Sequence, residues 1–180
     1  PYTTLFRSNN SIVRSTNDGL TWEAFESHPE ESILSTIHLD NFGSVYYFRE
    51  NGVYKCAAGS TSFDKMTTST NAFTCMMINR KGYIYAGTSK GILLSTNQGK
   101  DWTQLSVTGY TDNYIYSLDE TSDRKILTNS TYGLYMSTND GISWTKIDDN
   151  DSRGFYTKTL TVDTDGYLYA GSIQEGVFKT

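Results

Sequence analysis

The sequence predicts an all-β fold, a β-propeller or propeller segment built of four-stranded antiparallel blades in about four repeats. Three observations predict it. One octapeptide recurs as STNDGLTW (Ser15–Trp22), STNQGKDW (Ser95–Trp102) and STNDGISW (Ser137–Trp144). Each repeat of 39 to 44 residues holds four strand-length apolar runs separated by Gly, Asn, Asp or Ser. No stretch of about eleven residues or more sustains a helical period.

Composition points the same way. Of 180 residues, 37% are hydrophobic and 14% aromatic, a globular balance. Fourteen Tyr against four Met and two Pro favour strands over helices. A net charge of −5 argues against a nucleic-acid partner, which would demand a basic face. No apolar run approaches the roughly 18 residues of a membrane-spanning helix. The chain begins at Pro1 rather than Met, and PYTTLFRS (Pro1–Ser8) resembles a translated linker scar. Cys56 and Cys75 stand 19 apart, which suits neither a CxxC redox motif nor a zinc knuckle. They read as two buried thiols.

The octapeptides set the register of the repeat. Trp22, Trp102 and Trp144 form one column, with gaps of 80 and 42 residues. Two periods fit in the first gap, and CAAGSTSF (Cys56–Phe63) supplies the degenerate copy, Phe63 replacing Trp. Three residues beyond each aromatic comes an apolar residue, Phe25, Met66, Leu105 or Ile147, which marks a fourth strand. Upstream lies a third strand: SIVR at Ser11, GVYK at Gly52, GILL at Gly91, GLYM at Gly133 and GVFK at Gly176. A second strand precedes it, as GSVYYF (43–48), GYIYAG (82–87), RKILTN (124–129) and GYLYAG (166–171). An apolar–x–apolar–Asp/Asn pattern announces the first: IHLD (37–40), MMIN (76–79), YSLD (116–119) and LTVD (160–163). Both side-chain columns of strand two are often apolar or aromatic, as in a sheet covered on both faces. Ala86–Gly87 and Ala170–Gly171 would allow close backbone approach.

These signals place blades at about 33–67, 72–107 and 113–148, with partial blades at 1–27 and 157–180. The first unit lacks its innermost strand and the last stops where its octapeptide would begin. The chain therefore reads as a segment of a longer propeller rather than a small closed ring.

Ser-x-Asn-x-Gly-x-x-Trp resembles the Asp-box (BNR) repeat, and the resemblance covers nearly the whole chain at blade level. It implies sialidase- or sortilin-like propeller blades, in which the box is the turn between the third and fourth strands. The residue chemistry suits that structural role. Asn17, Asn97 and Asn139 can cap backbone N–H groups, Gly19, Gly99 and Gly141 supply positive φ, and each Trp folds back over the blade end. Ser15, Ser95 and Ser137 open the three copies. The family's usual Asp is Asn in all three. The family's functional face is the opposite one, formed by the two–three loops and the blade-to-blade links.

Those loops carry Glu30, Glu31, Glu50, Asp112, Asp148, Asp149, Asp151 and Glu175 against Arg49, Lys90 and Arg153, with Tyr110, Tyr132, Phe155 and Tyr156 among them. The face is acidic and aromatic. A sialidase would need three arginines to clamp its substrate carboxylate and an early Arg-Ile-Pro segment. The chain has no Arg-Ile-Pro and too few arginines on this face. A glycosidase needs only two carboxylates, and Glu50 or Glu175 with Asp112 or Asp149 are the candidates. Xyloglucan-active hydrolases carry such boxes too, as do sortilin-type receptors and the photosystem assembly propeller. The leading expectation is a non-enzymatic binding scaffold outside the cytoplasm (extracellular, cell-surface or periplasmic). Arg49, Lys90, Tyr110, Tyr132, Arg153 and Phe155 would meet a glycan or protein ligand. The alternatives are a fragment of a polysaccharide-active glycoside hydrolase and a spacer without a ligand.

No metal or cofactor is expected. DDND (Asp148–Asp151) lacks the spacing of a calcium loop, and DTDG (Asp163–Gly166) sits where a strand one–two turn belongs. His28 and His38 have no local partner for metal binding. Asn9 and Asn129 open N-x-S/T sequons.

Overall fold

A computed structural model of the chain describes residues 4–8, 11–27, 36–49, 52–67, 72–107, 113–147, 157–163, 165–172 and 176–179. Every regular element among them is a β-strand, and every strand pairs antiparallel with its sequence neighbour in the same sheet. Two compact units, Pro1–Ala72 and Phe73–Thr180, divide the chain.

The first unit holds two sheets. One has the order β1 (Thr4–Ser8), β2 (Ser11–Ser15), β3 (Glu23–Ser27). The other runs β4 (Ile37–Leu39), β5 (Val45–Arg49), β6 (Gly52–Cys56), β7 (Asp64–Thr67). Ile12 and Tyr47, both fully buried, centre the core between them, with Leu5, Phe25, Ile37, Tyr54 and Phe63 packed around. Tyr47 stacks on its cross-strand partner Tyr54 at 4.9 Å, and Phe63 closes on the same ring at 4.9 Å. The Phe that replaces Trp in the degenerate octapeptide is thus a core residue.

The second unit holds three sheets. They are β8 (Phe73–Ile78), β9 (Ile84–Thr88), β10 (Gly91–Ser95), β11 (Thr103–Leu105); then β12 (Ile115–Glu120), β13 (Ile126–Ser130), β14 (Gly133–Ser137), β15 (Thr145–Lys146); then β16 (Thr157–Val162), β17 (Leu168–Ser172), β18 (Gly176–Lys179). All five residues of β5, β9 and β13 are buried, as a doubly covered strand requires. In β13 the two columns divide the work. Ile126 joins Tyr85, Ile92, Ile115 and Leu118 in one core cluster, whereas its neighbour Leu127 joins Leu160 and Ala170 in another. The period of two sends adjacent side chains to opposite faces. Gly87 shows how tight the approach is: a Cβ there would lie 2.5 Å from Cys75 Sγ and 2.8 Å from Ile115 Cγ2. Burial pushes the Cys75 thiol up to about 12, and both cysteines are thiols.

Two kinds of turn recur at one end of the sheets. In each octapeptide the Ser Oγ accepts the Gly N–H (2.9, 2.8 and 2.8 Å for Gly19, Gly99 and Gly141). The Asn Oδ1 accepts the N–H four residues on, at Thr21, Asp101 and Ser143, each at 2.9 Å. The indole N–H donates to the Gly carbonyl at 3.1, 2.9 and 3.0 Å. The backbone needs two successive left-handed residues, not one: Asp18, Gln98 and Asp140 lie at φ of 56°, 61° and 56° ahead of the glycines. Trp102 and Trp144 are half-buried, while Trp22 stays 43% exposed.

The second turn joins strands one and two. Asp40, Asn79 and Asp163 each use Oδ1 to accept the N–H groups two and four residues on, at 2.8–3.0 Å. Asp163, which opens DTDG, makes this cap. In the hairpin of β12 and β13 the Asp of YSLD lies inside the strand, two residues before the capping position. The turn is held by the Thr121 hydroxyl, which accepts the Lys125 N–H at 2.8 Å. Asp119 instead reaches across to accept the Val162 N–H at 3.0 Å. A two-residue slip keeps every side chain on its face, so the apolar pattern alone could not detect it.

Two stability predictions follow from this packing. Gly87→Ala should lower stability by about 1–3 kcal/mol, because its Cβ meets the short packed side chains of Cys75 and Ile115, down to the Ile115 Cβ; the midpoint of urea unfolding measures it. Asn139→Ala removes the acceptor that closes the turn and should cost about 1 kcal/mol. An Asn139→Ala midpoint equal to wild type would mean that water replaces the cap without loss.

Candidate functional site

The face formed by the β9–β10 and β13–β14 turns in the second unit carries exposed aromatic and basic groups. Lys90 is exposed in the β9–β10 turn, its own N–H bonded to Thr88 Oγ1 at 3.1 Å. Tyr132, 37% exposed, occupies the β13–β14 turn, and its carbonyl accepts the Tyr135 hydroxyl at 3.4 Å. Tyr114, just before β12, is 40% exposed. Its carbonyl accepts the Thr131 N–H at 3.0 Å, which ties the approach to β12 to the turn bearing Tyr132. The Tyr114 and Tyr116 rings lie 4.8 Å apart. Asn113, which precedes Tyr114, is 1% exposed, and among the described residues neither its amide nitrogen nor its amide oxygen has a hydrogen-bond partner. Sequence reading found Tyr132 but not Tyr114 or Asn113, because the latter two sit at a strand entry rather than in a Gly-marked loop.

Arg49, at the corresponding end of β5 in the first unit, is 1% exposed, with its guanidinium 5.6 Å from the Tyr47 ring centroid. Glu50, Tyr110, Asp112, Asp149, Arg153, Phe155 and Glu175 lie outside the described residues, as do DDND, His28 and Asn9. Asn129 is 1% exposed within β13, so its sequon is closed to modification in the folded chain. Among the described residues no three His, Cys, Asp or Glu side chains gather as a metal site would need.

A cavity of about 440 Å³ opens at the other end of the sheets, inside the first unit. Leu5, Arg14 and Phe25 of the first sheet form one wall. Leu39 and Val45, with the turn from Ala57 to Thr61, form the other. Arg14 is held against this wall by Glu23, whose Oε1 takes Nη2 at 2.6 Å, and it lies 4.8 Å over the Phe25 ring. The turn here is the degenerate octapeptide. Ser60 N–H donates to the Ala57 carbonyl at 2.9 Å and Gly59 has φ of 79°, the geometry of a type II turn. The Ser–Asn–Trp latch of the other copies is absent from it.

His38 of β4 is half-buried, its Nε2 2.8 Å from the Thr36 hydroxyl. Desolvation lowers its pKa from 6.5 to about 4. Between these values the unfolded chain binds the proton and the folded chain does not. Stability contributed by neutral His38 is therefore complete above about pH 6.5 and is lost as pH falls toward 4. His38→Gln should flatten the acid limb of stability in that window, read from urea midpoints at a series of pH values.

No family model and no curated protein matches the sequence. Solved structures do match in fold. An ancestral GH74 enzyme aligns with 99% of this chain and 28% of its own, at 19% identity and a TM-score of 0.79. The extracellular domain of the one-component system protein BT4673 from B. thetaiotaomicron aligns with 99% of this chain and 26% of its own, at 13% identity and a TM-score of 0.78. YCF48 bound to D1 peptide aligns with 98% of this chain and 59% of its own, at 15% identity and a TM-score of 0.79. The chain spans roughly a quarter of the first two proteins. At these identities the likeness is one of fold, and the fold is that of β-propeller blades.

Proposed function

We propose that the chain is a non-enzymatic binding scaffold of Asp-box type, from an extracytoplasmic protein, with a glycan or protein as its ligand. The tyrosine surface on the β12–β15 sheet carries this reading. Tyr114 and Tyr132 are exposed on one rim and joined through the Thr131–Tyr114 backbone bond. Rings held in this way stack on a sugar face or a partner's side chain at little entropic cost, since each has two side-chain torsions to fix. Tyr110, Lys90, Arg153 and Phe155 belong to the same loop set in the sequence, whereas Arg49 is buried within β5. The octapeptide side chains are engaged in their own turns and support the scaffold. Similarity to a peptide-bound propeller and to an extracellular domain favours a binding role outside the cytoplasm.

The GH74 likeness favours one second reading, a fragment of a polysaccharide hydrolase using a pair from Glu50, Asp112, Asp149 and Glu175. A single experiment separates the two. Retention on a panel of polysaccharides and peptides is recorded together with release of new reducing ends. The scaffold reading expects retention without release, weakened about tenfold by Tyr132→Ala or Tyr114→Ala, the worth of one stacked ring. Release that disappears on replacing one of the four carboxylates would overturn it.

A further inference from the structure

The hairpins between strands two and three repeat one design in two adjacent sheets of the second unit. Residues 88–91 join β9 to β10, and residues 130–133 join β13 to β14. Each opens on a buried hydroxyl residue, Thr88 or Ser130, and closes on Gly91 or Gly133, at φ of 115° and 114°. The Thr88 hydroxyl donates to the Gly91 carbonyl at 2.9 Å and accepts the Lys90 N–H at 3.1 Å. The Ser130 hydroxyl does the same for Gly133 and Tyr132, at 3.2 and 3.4 Å. The carbonyls are taken too. Gln104 Nε2 donates to the Lys90 carbonyl and the Tyr135 hydroxyl to the Tyr132 carbonyl, both at 3.4 Å.

Lys90 and Tyr132 therefore hold the same position in their hairpins, each with backbone N–H and C=O engaged inside its own sheet. What each offers outward is a side chain. A peptide captured by strand addition needs backbone groups on the receiving edge, and at Lys90 and Tyr132 those groups are already bonded. A ring face and an ammonium donor suit a sugar, whose C–H face stacks and whose hydroxyls accept. The loop set of this face is acidic in the sequence, which disfavours an anionic chain. The two sheets share one core, with Tyr85 and Ile92 from the first and Ile115 and Ile126 from the second. Sheets packed face to face lie about 10 Å apart, farther than one pyranose ring reaches.

Building on the binding reading above, we propose that Lys90 and Tyr132 read a neutral, linear glycan of all-equatorial pyranose units laid across the two hairpins. Tyr132 stacks on one ring, and Lys90 donates to the hydroxyls of another. Thr88 and Ser130 are positioning residues, which preset the two side chains without touching the sugar.

The test titrates cello-oligosaccharides of one to six units into the protein by calorimetry. Affinity should rise about tenfold or more with length, because the second contact becomes intramolecular once the chain spans both hairpins. Lys90→Ala should remove that gain. Tyr132→Ala should weaken cellohexaose about tenfold. Ser130→Ala should weaken it about threefold to fivefold. In a Tyr132→Ala background Ser130→Ala should cost nothing more, since a positioning residue acts only through the ring it places. Ser130→Thr should keep wild-type binding, as Thr88 makes the same cap. Cellohexaose that fails to bind saturably, affinity independent of length, or a further loss from Ser130→Ala in the Tyr132→Ala background would overturn the proposal. A proline-rich peptide bound through Tyr132 in place of cellohexaose would overturn it too, and would leave the scaffold reading standing. New reducing ends during the titration would instead overturn the non-enzymatic reading.

Discussion

Burial of the second strand on both faces is the constraint on which each unit depends. A four-stranded sheet cannot cover its own two faces, so its central strand is stable only when a neighbouring sheet supplies the cover. Ile126 and Leu127 make the requirement concrete, since they are consecutive residues that belong to separate cores. Close packing follows from it. The absent side chain at Gly87 admits Cys75 and Ile115 to the space a Cβ would take. At the equivalent position of β17, Gly171 would place a Cβ 2.8 Å from Thr159.

The turns answer a different demand. At each sheet end the chain reverses and exposes backbone N–H groups, and short polar side chains satisfy them locally. The octapeptide uses Ser and Asn oxygens, and the first hairpin uses Asp, Asn or Thr. Because these bonds are internal, the octapeptide can recur wherever a blade needs a turn, whatever the protein binds. Asp140 shows how a turn residue can also reach outward: its carboxylate takes Lys81 and its carbonyl takes Tyr85.

Much of the architecture was legible in the sequence because it is written in repetition. The Trp column, the Gly-opened third strand and the doubly apolar second strand each recur, and each corresponds to an observed element. What repetition could not show was of two kinds. One was register within a pattern of period two: YSLD aligns Asp119 with Asp40, yet Thr121 holds the turn and Asp119 reaches the neighbouring sheet. The other was the site. Tyr114 and Asn113 gain significance only from a backbone bond to Thr131 and from burial, and neither leaves a mark in composition.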